Sequence, residues 1–134
     1  MGMFGKVMFS EVRGVVQKNA VPVAGAKIKR EYTWAWDSKK VQEETVSDTV
    51  GNFSFPMASK SSVLSGIMPH EPVISQLITI SYDGKDYIAW DFRKHNYDDR
   101  GELRGKPIDI ACELTRKLAS SYINDDIYGI CQLR

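Results

Sequence analysis

The feature that most restricts how this chain can fold is a period of two. The alternate positions Ala26, Ile28, Arg30, Tyr32, Trp34 and Trp36 are mostly apolar, and the residues between them are mostly Lys, Glu and Thr. Side chains two apart share one face of a β-strand, so the pattern reads as a half-buried strand and argues against an amphipathic helix. A second alternation runs through Ile74, Ile78, Ile80 and Tyr82 and then, past Asp83-Gly84, through Ile88, Trp90 and Phe92. Gly84 accepts a positive φ and Asp83 tolerates one, which favours a type I′ turn and makes residues 73–94 a hairpin. Further strands are expected at about 4–9, 11–17, 40–48, 52–57, 107–114 and 127–133. Short strands separated by turn residues point to a sandwich or barrel rather than a parallel α/β sheet. Two stretches suit a short helical turn: Ser61 to Met68, which stops before Pro69, and Arg116 to Tyr122, in which Leu118 and Tyr122 fall on one helical face.

No repeat, linker or low-complexity tract interrupts residues 1–134, which are read as a single domain. With 43% hydrophobic residues the chain can bury a core that needs neither a disulfide nor a metal. Its 18 Lys and Arg against 17 Asp and Glu leave a net charge of +1, so no global field draws it to nucleic acid or to an anionic membrane surface. No apolar run approaches the ~18 residues of a membrane span. Residues 1–10 lack the apolar core of a secretory signal, so the expected compartment is the cytoplasm. Cys112 and Cys131 bear on that expectation. Each shares strand parity with a Leu two residues on, Leu114 and Leu133, and is expected to face the core. If their segments pair as antiparallel neighbours, a disulfide would close a loop of about 20 residues and stabilise the fold by about 3 kcal/mol. That pairing would place the mature chain in the periplasm or outside the cell. The alternative is two buried thiols acting as small hydrophobes.

Reactive chemistry finds little purchase. The two histidines, His70 and His95, sit in no metalloprotease or zinc-finger spacing, and no nucleophile-elbow motif is present, so no catalytic residue is assigned and no enzyme is expected. Asp91, His95, Asp98 and Asp99 carry donor atoms that suit a metal. The Lys and Arg interleaved through residues 91–106 oppose a cation there, and the stretch, Glu102 included, reads as a solvated, self-compensating loop. Glu43-Glu44 and Asp125-Asp126 would face opposite sides of a strand and read as surface. The glycines form no phosphate cradle, so neither metal nor cofactor is expected. Tyr32, Trp34, Trp36, Trp90 and Phe92 fit either sandwich core or a surface that stacks on sugars or anchors a protein. Trp36, followed by Asp37, lies nearest a turn and is the one expected to be most exposed. The Lys94 to Lys106 segment offers a second surface through Tyr97, Asp98, Asp99 and Arg100. The candidate partner-binding residues are therefore Trp36, Asp37, Tyr97, Asp98, Asp99 and Arg100.

Gly14-Val15-Val16, Val21-Pro22-Val23-Ala24-Gly25-Ala26-Lys27-Ile28 and Thr45-Val46-Ser47-Asp48-Thr49-Val50-Gly51-Asn52-Phe53-Ser54-Phe55-Pro56 together resemble the carboxypeptidase regulatory-like family over residues 11–57. Pro22 and Gly25 bend the chain between two strands, and Asp48 can bond backbone amides in the turn that Gly51 closes before Phe53 and Phe55. The resemblance implies a transthyretin-like, immunoglobulin-like β-sandwich of about seven to nine strands with one or two short helical turns. It also implies an accessory or binding role without catalytic residues. The Met-Phe-Gly-Lys-Val start, the Pro69-His70-Glu71-Pro72-Val73 step and the Gly129-Ile130-Cys131 ending make the whole chain resemble short bacterial proteins associated with type VI secretion effector loci. This implies an immunity or accessory (adaptor) protein that binds a cognate toxin, effector or secretion component and blocks it sterically. The competing expectation is a carbohydrate-binding module that uses exposed Trp or Tyr.

Overall fold

The computed structural model describes residues 5–61 and 70–134. The alternating sequence becomes strands: β1 (Lys6–Phe9), β2 (Val12–Lys18), β3 (Val21–Pro22), β4 (Lys27–Trp34), β5 (Lys40–Val46), β6 (Asn52–Phe55), β7 (Ala58–Lys60), β8 (Ile74–Tyr82), β9 (Lys85–Lys94), β10 (Ile108–Glu113) and β11 (Cys131–Leu133). The fold is an all-β sandwich with no helix among the described residues. β3, β7 and β11 are only two or three residues long, and the other eight strands carry the sheets. One sheet is antiparallel throughout, in the order β5-β4-β8-β9. The other runs β11-β10-β2-β3, with β6 also on β2 and with β10 parallel to β2. β1 and β7 form a separate pair. Ile28, Trp34, Ile74, Ile78 and Trp90 from the first sheet meet Val12, Val16, Phe53, Ile108 and Ile110 from the second in one buried cluster. Each such side chain contributes about 1.5–3 kcal/mol by leaving water.

The turns follow their residue chemistry. Asp83 and Gly84 both have positive φ, 52° and 75°, and join β8 to β9 as a tight hairpin. Asp48 Oδ1 accepts from the amides of Val50 and Asn52 at 3.0 and 2.9 Å, and Gly51 N returns to Asp48 O at 2.9 Å, so the Asp-to-Gly turn forms as its residues require. Phe53 and Phe55 then enter the core, and Gly14 leaves the room that the Phe53 ring fills, since a Cβ there would lie 2.5 Å from it.

Three expectations need correction. The β8–β9 register shifts between Ile78 and Thr79, where Trp90 and Ile88 are their partners and Ala89 is the extra residue. This bulge reverses the parity of β9, so Ile88 does not share the inward face of Trp90. Arg116 to Tyr122 forms no helical turn; Ala119 instead bridges Gly129 in extended geometry. The other expected helical turn, Ser61 to Met68, lies outside the described residues from position 62 on. Finally, Cys112 and Cys131 are not free thiols: they stand opposite each other on β10 and β11, with Cα atoms 4.1 Å apart, and are joined as a disulfide. Of their parity mates, Leu114 is buried, but Leu133 is 39% exposed at the free end of β11.

The end of β10 is fastened by Glu113. Its carboxylate accepts from the amides of Asn19 and Ala20, both at 2.9 Å, and from Thr115 N and Oγ1 at 3.1 and 2.7 Å. Burial pushes this carboxyl up, but the four donors outweigh it and hold the pKa down to about 2. A depressed carboxyl stabilises the fold fully above its unfolded value and loses that contribution as pH falls through its folded value. Glu113→Gln should therefore lose about 1 kcal/mol at neutral pH. Its stability should also fall less steeply than the wild type's between the ordinary value of 4.5 and about 2, as read by denaturant titration at stepped pH.

Candidate functional site

The segment that follows β9 is anchored by a polar cluster inside the protein. Past the bulge, Trp90, Phe92 and Lys94 share the inward parity, and this carries the Lys94 side chain to full burial. Lys94 Nζ donates to Val7 O at 3.0 Å and to Asp98 O at 2.6 Å, and lies 3.7 Å from Glu102 Oε2. Glu102 also accepts from Ser10 N at 2.9 Å, Ser10 Oγ at 2.6 Å and Gln76 Nε2 at 2.9 Å. Gln76 in turn donates to Met8 O and accepts from Trp90 Nε1 at 3.0 Å. Burial pushes the Lys94 pKa down, and the neighbouring Glu102 pulls it back. No buried side-chain nitrogen or oxygen among the described residues lacks a partner. A fully satisfied network of this kind fixes the backbone that supplies it. The loop 95–107 is thus tied at Asp98 to Lys94 on β9, at Tyr97 O to Val7 N on β1 at 3.1 Å, and at Arg100 and Glu102 to Ser10, the residue after β1, with Arg100 N donating to Ser10 Oγ at 2.8 Å.

Arg30 is a second buried cation on the same wall of the core. Its guanidinium lies 4.8 and 4.9 Å from the Phe9 and Phe55 rings and donates to Glu43 Oε1, Ser10 O and Pro56 O. The stretch around Glu102 is therefore not simply solvated, and Glu43 is the half-buried partner of Arg30 rather than plain surface.

Outside this frame, the two groups of candidate residues meet at one end of the sandwich. Trp34 Nε1 donates to Tyr97 Oη at 2.9 Å, and Tyr97 Oη lies 2.6 Å from His70 Nε2. The Trp36 ring stands 4.7 Å from that of His70, and Lys6 Nζ sits 5.1 Å over Tyr97. Burial raises the Tyr97 phenol pKa, opposed by the bond from Trp34. Beside Trp36, burial works against the Asp37 carboxylate, but Lys60 at 2.8 Å and the Lys39 amide keep its pKa below the ordinary value. Trp36, Asp37 and Tyr97 are half-buried, and Asp98, Asp99 and Arg100 are exposed. Arg100 holds a positive φ of 57°. Of the remaining aromatics, Tyr32, Trp34 and Trp90 are core, which withdraws Trp34 and Trp90 from any sugar-stacking surface. His70 went unassigned in the sequence because nothing near it pointed to Trp36 or Tyr97. Among the described residues no three His, Cys, Asp or Glu side chains gather as a metal site.

On its other flank the loop forms one wall of a groove of about 860 Å³, with Phe92, Leu103, Ile123 and Leu133 among its apolar lining. The opposite wall is the strap that leads to β11. Tyr128 and Asp91 exchange both backbone bonds at 2.8 and 3.0 Å, Ile130 N donates to Ile88 O, and the disulfide follows at Cys131. Gly129 permits this approach, because a Cβ there would fall 2.3 Å from Ala89 O at the bulge.

No curated protein and no solved structure matches the chain. No helix among the described residues is long and apolar enough to cross a membrane. A family model described as a domain of unknown function, DUF6795, matches residues 12–117. The matched span takes in Arg30, Glu43, Gln76, Lys94, Glu102 and Cys112 and ends before Cys131. On that match, which covers most of its length, the chain belongs to the DUF6795 family.

Proposed function

We propose that this protein is a non-catalytic protein-binding domain, an immunity or accessory (adaptor) protein that engages a type VI secretion toxin or effector and blocks it sterically. The observation that supports this most is the fastening of the 95–107 loop by the buried Lys94–Glu102 cluster while Asp98, Asp99 and Arg100 stay exposed. A surface ordered before it binds loses little conformational entropy on association. Tyr, Trp and Arg are the side chains that dominate binding energy at protein interfaces, and Trp36, Tyr97 and Arg100 lie on or beside this surface. The adjacent acids and base give it the mixed charge that sets partner choice and association rate. The partner class rests on the likeness to short bacterial proteins of type VI secretion effector loci. With Cys112 and Cys131 joined, the periplasm fits better than the cytoplasm as the working compartment.

The test is capture of partners by the tagged protein from its own bacterium under effector-expressing conditions, read by mass spectrometry. A stoichiometric toxin or secretion component is expected. Arg100→Glu with Asp99→Lys should weaken that complex by roughly 30-fold or more, the scale of a hot spot, while leaving thermal unfolding unchanged. Capture of nothing, or of a protein indifferent to both changes, would contradict the proposal. The sugar-binding alternative retains Trp36 and Tyr97, and a response of Trp fluorescence to added glycans would favour it.

A further inference from the structure

We infer that the groove beside the loop receives an acidic segment of a partner protein that carries a large apolar residue. This rests on the protein-binding reading above and specifies the chemistry of what is bound. Three cations, Arg93, Arg104 and Lys106, line the groove and are exposed. None of them makes a side-chain hydrogen bond or an ion pair with any described residue. Several other surface cations are matched: Lys29 and Lys40 with Glu31, Lys60 with Asp37, and Arg134 with Asp109. Of the acids in the groove, Asp126 is exposed, and Glu102 is already engaged by Lys94, Ser10 and Gln76. The rim is therefore positive in a chain whose net charge is only +1.

The rest of the lining sets the kind of anion. Phe92 and Ile123 are half-buried and Leu133 is 39% exposed, so an apolar floor lies between the charges. A free inorganic anion would leave that floor wet. A peptide that presents carboxylates on either side of a Leu or Phe would cover it and pair with the rim at once. Both walls are held in place. The loop wall is tied by Gly105 N to Arg100 O at 2.7 Å and by Lys106 N to Leu103 O at 3.2 Å. The strap wall is tied by the Tyr128–Asp91 pair and the disulfide. The groove is thus formed before its occupant arrives.

The probe is a short fluorescein-labelled peptide of Asp and Glu around a central Leu-Phe, followed by fluorescence anisotropy with the intact protein. Two control peptides carry Lys in place of the acids, or Ala-Ala in place of Leu-Phe. The acidic Leu-Phe peptide should bind at least ~10-fold more tightly than either control and weaken with added salt. Amide shifts on binding should centre on Ile123 and Leu133. Arg104→Glu with Lys106→Glu should abolish the preference for acids, and Leu133→Asp should remove the dependence on Leu-Phe. Equal binding of all three peptides, absence of binding, or affinity unchanged in the Arg104→Glu/Lys106→Glu protein would overturn the inference. Failure of the peptide while Arg100-dependent capture of a partner persists would remove this inference alone. Loss of partner capture would remove the reading beneath it.

Discussion

Lys94→Met should lower the unfolding free energy by about 3–5 kcal/mol, the usual effect of removing one member of a buried ion pair. The side chain lies at 0% exposure, and Met fills most of its volume, so packing loss is the minor part. What remains is the Glu102 carboxylate, still held by Ser10 and Gln76 but without a countercharge, together with the Val7 carbonyl without its Lys94 donor and the Asp98 carbonyl left with Gly101 N. Adding Glu102→Gln should restore part of the loss, because a neutral amide keeps an acceptor for Ser10 and needs no cation. The pair should therefore be clearly non-additive in a double-mutant cycle read by urea denaturation. If the two losses simply add, the ion pair is not what holds this part of the core.

Reduction of Cys112–Cys131, or replacement of both by Ala, should cost about 3 kcal/mol in the chain-entropy picture, in which the loop closed by a sequence separation of 19 is released in the unfolded chain. Thermal unfolding should move down by on the order of 10 °C. The effect should also be local. β11 is only three residues long and pairs with β10 at Ile110, Ala111 and Cys112, so without the disulfide its end and Leu133 should detach before the rest of the sandwich. Scanning calorimetry with and without reductant reads the first effect, and amide exchange at Gln132 and Leu133 reads the second. An unchanged transition on reduction would mean that the strap is held by its β9 contacts alone.

Much of the architecture was legible from side-chain alternation and turn chemistry. β4 runs Lys27–Trp34 where the pattern places a strand, Asp83-Gly84 makes the tight turn that its residues favour, and Asp48 bonds the amides before Phe53. The bulge at Ala89 was not legible, because an inserted residue shows itself only against the partner strand. The bulge takes Ile88 off the inward face that Trp90 and Phe92 keep, and Lys94 lies buried at the end of that same face. A signal did exist, since Lys94 continues the Trp90, Phe92 alternation and Arg30 sits between Ile28 and Tyr32 on an inward face. Each inward cation requires an acid, but Glu43 and Glu102 come from other strands and loops, and single-sequence spacing does not say which acid answers which base. For the candidate surface, the sequence marks Trp36 by its place beside a turn and Tyr97 by its place in a charge-rich loop, with no sign that the two are neighbours. Only the tertiary fold brings them together, with His70 and Trp34 between them.

On the proposed function, the buried Lys94–Glu102 ion pair holds the 95–107 loop in place before any partner arrives. Hydrogen exchange of the loop amides in the free protein tests it most directly. Arg100, Gly101 and Gly105 donate to Ser10 Oγ, Asp98 O and Arg100 O, respectively. They should exchange on the order of 100-fold more slowly than an unstructured chain, and this protection should collapse in Lys94→Met under conditions where the β8–β9 amides stay protected. Exchange of these three amides at unstructured rates in the wild-type protein, with the sheets intact, would contradict the account.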